Sequence, residues 1–491
     1  MKTFYTKAST APATRGDFEA ILTSASGKKL DWFFNTVIDS RDIIDYKFKN
    51  LTKTQDSVQV ELHNQTGTSV PVPVFGVKGS EVVYKQWIEN VAGHTLLTFP
   101  RNGAEKIVIN YLNEVPEFNM RNNWKSLKNF KLTNRPVKFN FMKDLEDPFY
   151  NQIMYVPNFE YNLYDGITPG LRLHNKTLLE KPFTFDVSPG YGLKSKMFVG
   201  SASFAYNQYI RDSRWYNARY SISGNYFHYA PDALYYRINP SVVLRRREAD
   251  FRENRKELFL VRDVIVNREP TQYVIDDADE NENYQVLNIR YANSYMEAIK
   301  TVNYEADLQF SSNFGKVSGE MEYRHLFLSN RQLNLRFFGG LFLYNNTSND
   351  FFSFALDRPT DYLFDYNYYG RSESSGLFSQ QLIMSEGGFK SMLDNQFANR
   401  WITTVNASFN IWNWIEVYGD AGFVKNKGFD AQFVYDSGVR LNLVTDYFEL
   451  YFPVYSNLGW EIAQPNYSEK IRFIVTIDPK TLVGLFTRKW L

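Results

Sequence analysis

The sequence predicts a mainly β chain, in which a transmembrane antiparallel β-barrel of about sixteen strands follows a small β-sandwich and a short helical N-terminal segment. Three observations predict it. The chain holds 34 Tyr, 41 Phe and 9 Trp, which is 17% aromatic residues, yet its mean hydropathy is only -0.41. Aromatics spread among polar residues in this way fit strands with one lipid face and one wet face. No run approaches the ~18 apolar residues of a helical span, and a closed barrel is the other structure that satisfies its backbone inside lipid. From Ile167 onward, segments of about ten residues alternate between apolar and polar side chains and are separated by turns.

Residues 1–41 read as two short helices. The first opens at Thr14-Arg15-Gly16-Asp17, runs through Phe18, Ile21 and Leu22, and stops at Gly27, a residue suited to a C-cap. The second carries Leu30, Trp32, Phe33, Phe34, Val37 and Ile38, so many apolar groups that it must pack on something. Residues 42–113 read as a sandwich of short alternating strands, among them Tyr46 to Lys49, Val58 to Leu62, Val70 to Val77 and Ile107 to Ile109. Residues 114–165, rich in Asn, Pro and aromatics, read as a connector with turns at Asp147-Pro148, Val156-Pro157 and Tyr164-Asp165-Gly166.

Residues 166–491 carry the barrel pattern. Leu333, Leu335, Leu341 and Leu343 share a parity that places them on lipid, with Asn334 and Arg336 inside. Val302, Tyr304, Ala306, Leu308 and Phe310 alternate in the same way with Asn303, Glu305, Asp307 and Gln309. Tyr216, Tyr226, Trp401, Trp412 and Trp414 flank apolar faces as interfacial girdles do. A large soluble sandwich or propeller is the alternative, but such folds gather their aromatics in a shared core.

The formal net charge of +1 gives no reason to propose a nucleic-acid partner. Cysteine is absent. The five histidines, His63, His94, His174, His228 and His325, stand apart in sequence with no H-E-x-x-H, so no catalytic residue and no metal site is expected in this chain. The acidic run from Asp276 to Glu282 reads either as a divalent-cation or lipopolysaccharide-bridging site or as a solvated loop. The N-terminus lacks the ~7 to 15 apolar residues of an export signal. Met1 is therefore read as internal to a longer protein.

Two resemblances add to this. Residues 1–113, through Thr14 to Phe18, Leu30-Asp31-Trp32-Phe33-Phe34, Tyr46-Lys47-Phe48 and Val70-Pro71-Val72-Pro73-Val74, resemble the end of the catalytic domain and the following sandwich of aminopeptidase N-type zinc metallopeptidases (gluzincins). With a barrel behind it, the chain looks like the C-terminal portion of peptidase and barrel fusions of Bacteroidetes. The resemblance implies zinc and the catalytic residues in a domain upstream of Met1, and none here. The barrel resembles the surface-antigen superfamily of assembly and secretion pores. Tyr418-Gly419-Asp420-Ala421-Gly422 is similar to its aromatic-x-Asp-x-Gly motif, and Gly370-Arg371 lies in the long preceding loop, in reversed order.

Three functions follow as expectations: the membrane-anchoring half of a metallopeptidase, a translocation or assembly barrel with a docking module, or a porin-like channel. All three place the chain in the bacterial outer membrane among lipid and lipopolysaccharide, with periplasmic N-terminal domains. The loop from Asn345 to Gly376 is longer than a turn requires. If it folds into the lumen, Arg371 is expected to lock onto Asp420.

Overall fold

The computed structural model describes residues 1–10, 12–142, 145–178, 181–250, 252–273, 283–366, 368–369 and 375–475. The chain forms two compact units, Met1–Tyr155 with Thr177–Leu179, and Val156–Lys176 with Glu180–Leu491.

The first unit opens with three helical segments. Helix Lys2–Ala8 has no counterpart in the sequence reading. Helix Arg15–Ser26 starts on a capping box, in which the Thr14 hydroxyl accepts from the Asp17 amide at 3.2 Å while the Asp17 carboxylate accepts from the Thr14 amide at 2.8 Å. It ends on Gly27, whose φ of 63° closes the last turn. Segment Trp32–Ile38 is a π-helical turn. Phe34 is fully buried there, Trp32 and Val37 pack on the sandwich core, Leu30 and Phe33 are half-buried, and Asp31 is exposed.

The sandwich has a three-stranded sheet in the order Tyr46–Lys53, Ser57–Asn64, His94–Pro100, and a four-stranded sheet in the order Glu81–Ile88, Val72–Lys78, Lys106–Ile109, Trp124–Ser126. Alternating Tyr46 and Phe48, Val58, Val60 and Leu62, and Val72 and Val74 fill its core. Its last strand lies inside the stretch read as a connector, as do Val137–Phe141 and Asn151–Asn162, which are strands of the barrel sheet. The Asn and Pro content that suggested turns hid them. His63 and His94 are cross-strand neighbours with rings 5.3 Å apart, so they do not stand apart in the fold.

The closed barrel sheet has eighteen strands among the described residues, and those from Gly166–His174 onward belong to the second unit. Neighbours follow chain order from Gly166–His174 to Gln332–Asn345, continue at Trp401–Trp412, and run to Phe448–Ser456, each pair antiparallel. Val137–Phe141 and Asn151–Asn162 pair in parallel. The outer surface is apolar. Phe337, Leu341 and Leu343 are 46%, 46% and 53% exposed, while Arg336, Phe338 and Phe342 between them are buried. Leu333 and Leu335 share the outward parity and are partly covered. A wall that shows this much apolar surface outward is built for lipid.

Candidate functional site: a plugged lumen

A strand that alternates Arg336, Phe338, Gly340 and Phe342 on its inner face presents apolar groups to the lumen as well as charge. A water-filled pore has no use for them. They are covered by described residues of the segment that leaves the wall after Asn345 and returns at Trp401. Its Phe352, Phe354, Leu356, Leu363 and Phe389 pack with the wall's Val264, Val286, Phe314, Phe338 and Phe342 in one cluster of buried side chains. This is a core enclosed by a barrel, driven by the same burial that builds any interior. The approach is close. A Cβ on Gly340 would lie 2.6 Å from the Phe354 ring, and Gly388, at φ 69°, would place one 2.8 Å from Arg336 Nη1.

Backbone groups inside the barrel need partners. A two-residue ribbon pairs Phe354–Ala355 with Phe397–Ala398. The Leu356 amide donates to the Gln396 carbonyl at 2.9 Å, and the Phe389 amide to the Leu356 carbonyl at 2.9 Å. At the last strand, Arg472–Val475, the Leu382 amide donates to the Phe473 carbonyl at 2.8 Å.

Charged wall residues complete the plug's attachment. Lys390 Nζ donates to both carboxylate oxygens of Asp420, at 2.9 and 2.8 Å, and Asn406 donates to the same carboxylate at 2.9 Å. The backbone amides of Lys390 and Ser391 donate to Asp436 at 2.7 and 2.6 Å. Arg262 holds Asp365 with two bonds of 2.6 Å each, and Arg290 lies 3.2 Å from the same carboxylate. Lys316 donates to the Phe352 carbonyl at 3.0 Å. Arg336 donates to the Glu386 carbonyl at 2.8 Å and to Glu320 at 2.6 Å. Arg472, fully buried, reaches Asp357 at 3.0 Å and the carbonyls of Gln380 and Gln381 at 3.2 Å.

Among the sequence-derived site residues, Asp420 lies on the lumen face, buried against Lys390. Arg371 lies outside the described residues, as does the acidic run Asp276 to Glu282. Lys390 itself was not singled out from sequence, since one lysine in Gly387-Gly388-Phe389-Lys390-Ser391 has no distinguishing neighbour pattern. His228 is 4% exposed, with Nδ1 2.6 Å from Asp165. That carboxylate also accepts from Ser195 at 2.7 Å and from the His228 amide at 2.9 Å, tying two turns to the wall. No group of three or more metal-ligating side chains occurs among the described residues.

Leu382, Met384 and Lys390 of the plug line a cavity of about 360 Å³ together with wall residues Glu322, Arg324, Arg440 and Glu449. The lumen is thus filled at the level of the Lys390 and Arg336 contacts and hollow beside them. Of its charges, Arg440 pairs with Glu416 at 3.0 Å and with Glu449, and Arg324 with Asp446 at 2.6 Å.

No family model matches the sequence, and no curated protein matches it. Among solved structures the chain is similar to CdiB from Acinetobacter baumannii, with 12% identity and a TM-score of 0.30 over 61% of this chain and 54% of that one. It is also similar to the P pilus usher (PapC) translocation pore, with 8% identity and a TM-score of 0.23 over 84% of this chain and 78% of that one. The chain thus spans about half the length of CdiB.

Proposed function

We propose that this chain is a gated translocation or assembly barrel of the bacterial outer membrane, shut at rest by its own loop 346 to 400, with the sandwich as a periplasmic docking module. One observation carries the reading: the loop packs against the inner wall and is tied to it by ion pairs and backbone hydrogen bonds at five separate wall cations, Arg262, Lys316, Arg336, Arg472 and Arg290. A porin-like channel needs a continuous water column, and the buried Phe314, Phe338, Phe342 and Phe352 stand against one. A gate of this kind opens when a substrate or partner supplies competing contacts.

In planar bilayers the full chain should conduct little and intermittently. A variant with residues 350–396 replaced by a short Gly/Ser linker should pass a steady ohmic current. Equal steady conductance from both proteins would overturn the gate.

A second reading is that the N-terminal helices dock an upstream zinc-peptidase domain that the barrel anchors. It is favoured by the helices Lys2–Ala8 and Arg15–Ser26, which bury no side chain although Phe4 and Phe18 form an aromatic pair at 5.0 Å. Sequencing upstream of Met1 decides it, since an open reading frame without H-E-x-x-H ends this reading.

A further inference from the structure

The segment from Lys125 to Met142 contains Lys125, Lys128, Lys131, Arg135 and Lys138 and no acidic residue. All of it belongs to the first unit. Its large apolar side chains are bare: Phe130 is 81% exposed, Leu132 86%, Phe139 64% and Met142 69%. Side chains of this size left uncovered so close together mark a contact surface.

Cationic charge gathers around Phe130 and Leu132. Lys53 reaches up from the sandwich and donates through Nζ to the carbonyls of Leu127 and Lys128, at 2.9 and 3.0 Å, and to Asn129 Oδ1 at 3.1 Å. Lys106 lies 5.5 Å from the ring centroid of Trp124, the residue before Lys125. Lys131 donates to the Asn134 side chain at 3.3 Å. The carboxylate set against the five lysines 53, 106, 125, 128 and 131 is Glu105, 3.2 Å from Lys128 and beside Lys106, which leaves four positive charges in excess. Arg135 and Lys138 do not add to it, because Glu146 and Asp147 stand against them. Burial and the neighbouring ammonium of Lys131 hold Lys125 below the usual lysine range. Like charges kept this close call for a counter-charge from outside the chain.

The same segment leads into the wall. Val137–Phe141 is a strand of the barrel sheet, in which Val137, Phe139 and Phe141 are exposed while Lys138 and Asn140 are half-buried. An apolar outward parity of this kind is the lipid face. Phe130 and Leu132 precede that strand by a few residues, with lysines on either side. Rings and aliphatic chains sink to the acyl boundary of a bilayer while flanking ammonium groups reach its headgroups. An acidic protein surface would neutralise the lysines equally well, but the patch runs on into a strand whose exposed face takes lipid.

From these observations we infer that Phe130 and Leu132, with Lys53, Lys106, Lys125, Lys128 and Lys131, form a binding site for anionic phospholipid. The two apolar side chains insert among acyl chains and the ammonium groups hold headgroup phosphates. The site does not depend on whether the plug acts as a gate.

The chain has no cysteine, so Thr133→Cys in the full-length protein gives a single position for an environment-sensitive fluorophore. Its quenching by iodide is measured in nanodiscs of phosphatidylcholine alone and of phosphatidylcholine mixed with phosphatidylglycerol. Quenching should fall by about threefold in the anionic discs, and high salt should restore it. Combined Lys125→Gln, Lys128→Gln and Lys131→Gln should abolish the difference between the two lipids while keeping the heat-modifiable gel mobility of a folded barrel. If that variant does not fold, Phe130→Ser with Leu132→Ser carries the same test. Equal quenching in both lipids, or a lipid difference that survives in the folded variants, would overturn the inference. Full quenching in both lipids would assign the patch to a water-soluble partner instead.

Discussion

Lys390→Met should destabilise the folded barrel by about 3 to 5 kcal/mol, the cost of breaking a buried pair and leaving its partner charged and unpaired. Asp420 and Asp436 face each other on adjacent strands, and both are buried. The Lys390 ammonium and the two plug amides are what compensate them. Methionine keeps most of the volume and removes only the charge, so packing loss is a minor part. The companion Lys390→Met/Asp420→Asn should recover part of the loss, because it removes the stranded carboxylate as well. A double-mutant cycle read by urea unfolding in detergent should therefore give a coupling above ~1 kcal/mol. Wild-type unfolding behaviour in Lys390→Met would mean that the plug does not depend on this contact.

Phe337→Arg is expected to cost about 2 to 4 kcal/mol, as a lipid-facing cation does near the bilayer midplane. Phe337 lies opposite Met321 on one neighbouring strand and Val405 on the other, and all three are exposed apolar residues in the middle of the wall. Leu341 lies beside Trp401, the first residue of its strand. An aromatic of that kind marks the interface, so Leu341→Arg should cost only about 0 to 1 kcal/mol. Folding titrations of both variants into bilayers check the depth assignment, and a larger loss at Leu341 than at Phe337 would show that the belt is displaced.

The wall was legible in the sequence because its period of two is a local property. Arg336 and Asp420 fall inward, and Phe337 and Leu341 outward, from strand geometry alone. The helix from Arg15 to Ser26 was legible for a similar reason, since Thr14, Asp17 and Gly27 are short-range signals. The plug was legible only as a length. Its anchors join residues far apart in the chain, Arg262 to Asp365 and Asp357 to Arg472, and no periodicity links such pairs. Phe338 and Phe342 did carry a signal, as aromatic residues on the inward parity beside Arg336, and an interior apolar cluster was the consequence to draw from them. The lock was sought at an arginine because guanidinium and carboxylate pair readily, whereas the fold supplies the ammonium of Lys390 from a glycine-bounded turn.

Amide hydrogen exchange of the full chain in lipid nanodiscs tests the plug most directly. Exchange reports opening of each hydrogen bond, and the amides of Leu382, Gly387, Phe389, Lys390 and Ser391 are all bonded inside the lumen. The peptide covering these residues should exchange as slowly as wall peptides from Gln332–Asn345, and should speed up in Lys390→Met while the wall stays protected. Rapid exchange of that peptide in the wild-type chain, at the rate of an open loop, would contradict a lumen closed by residues 346 to 400.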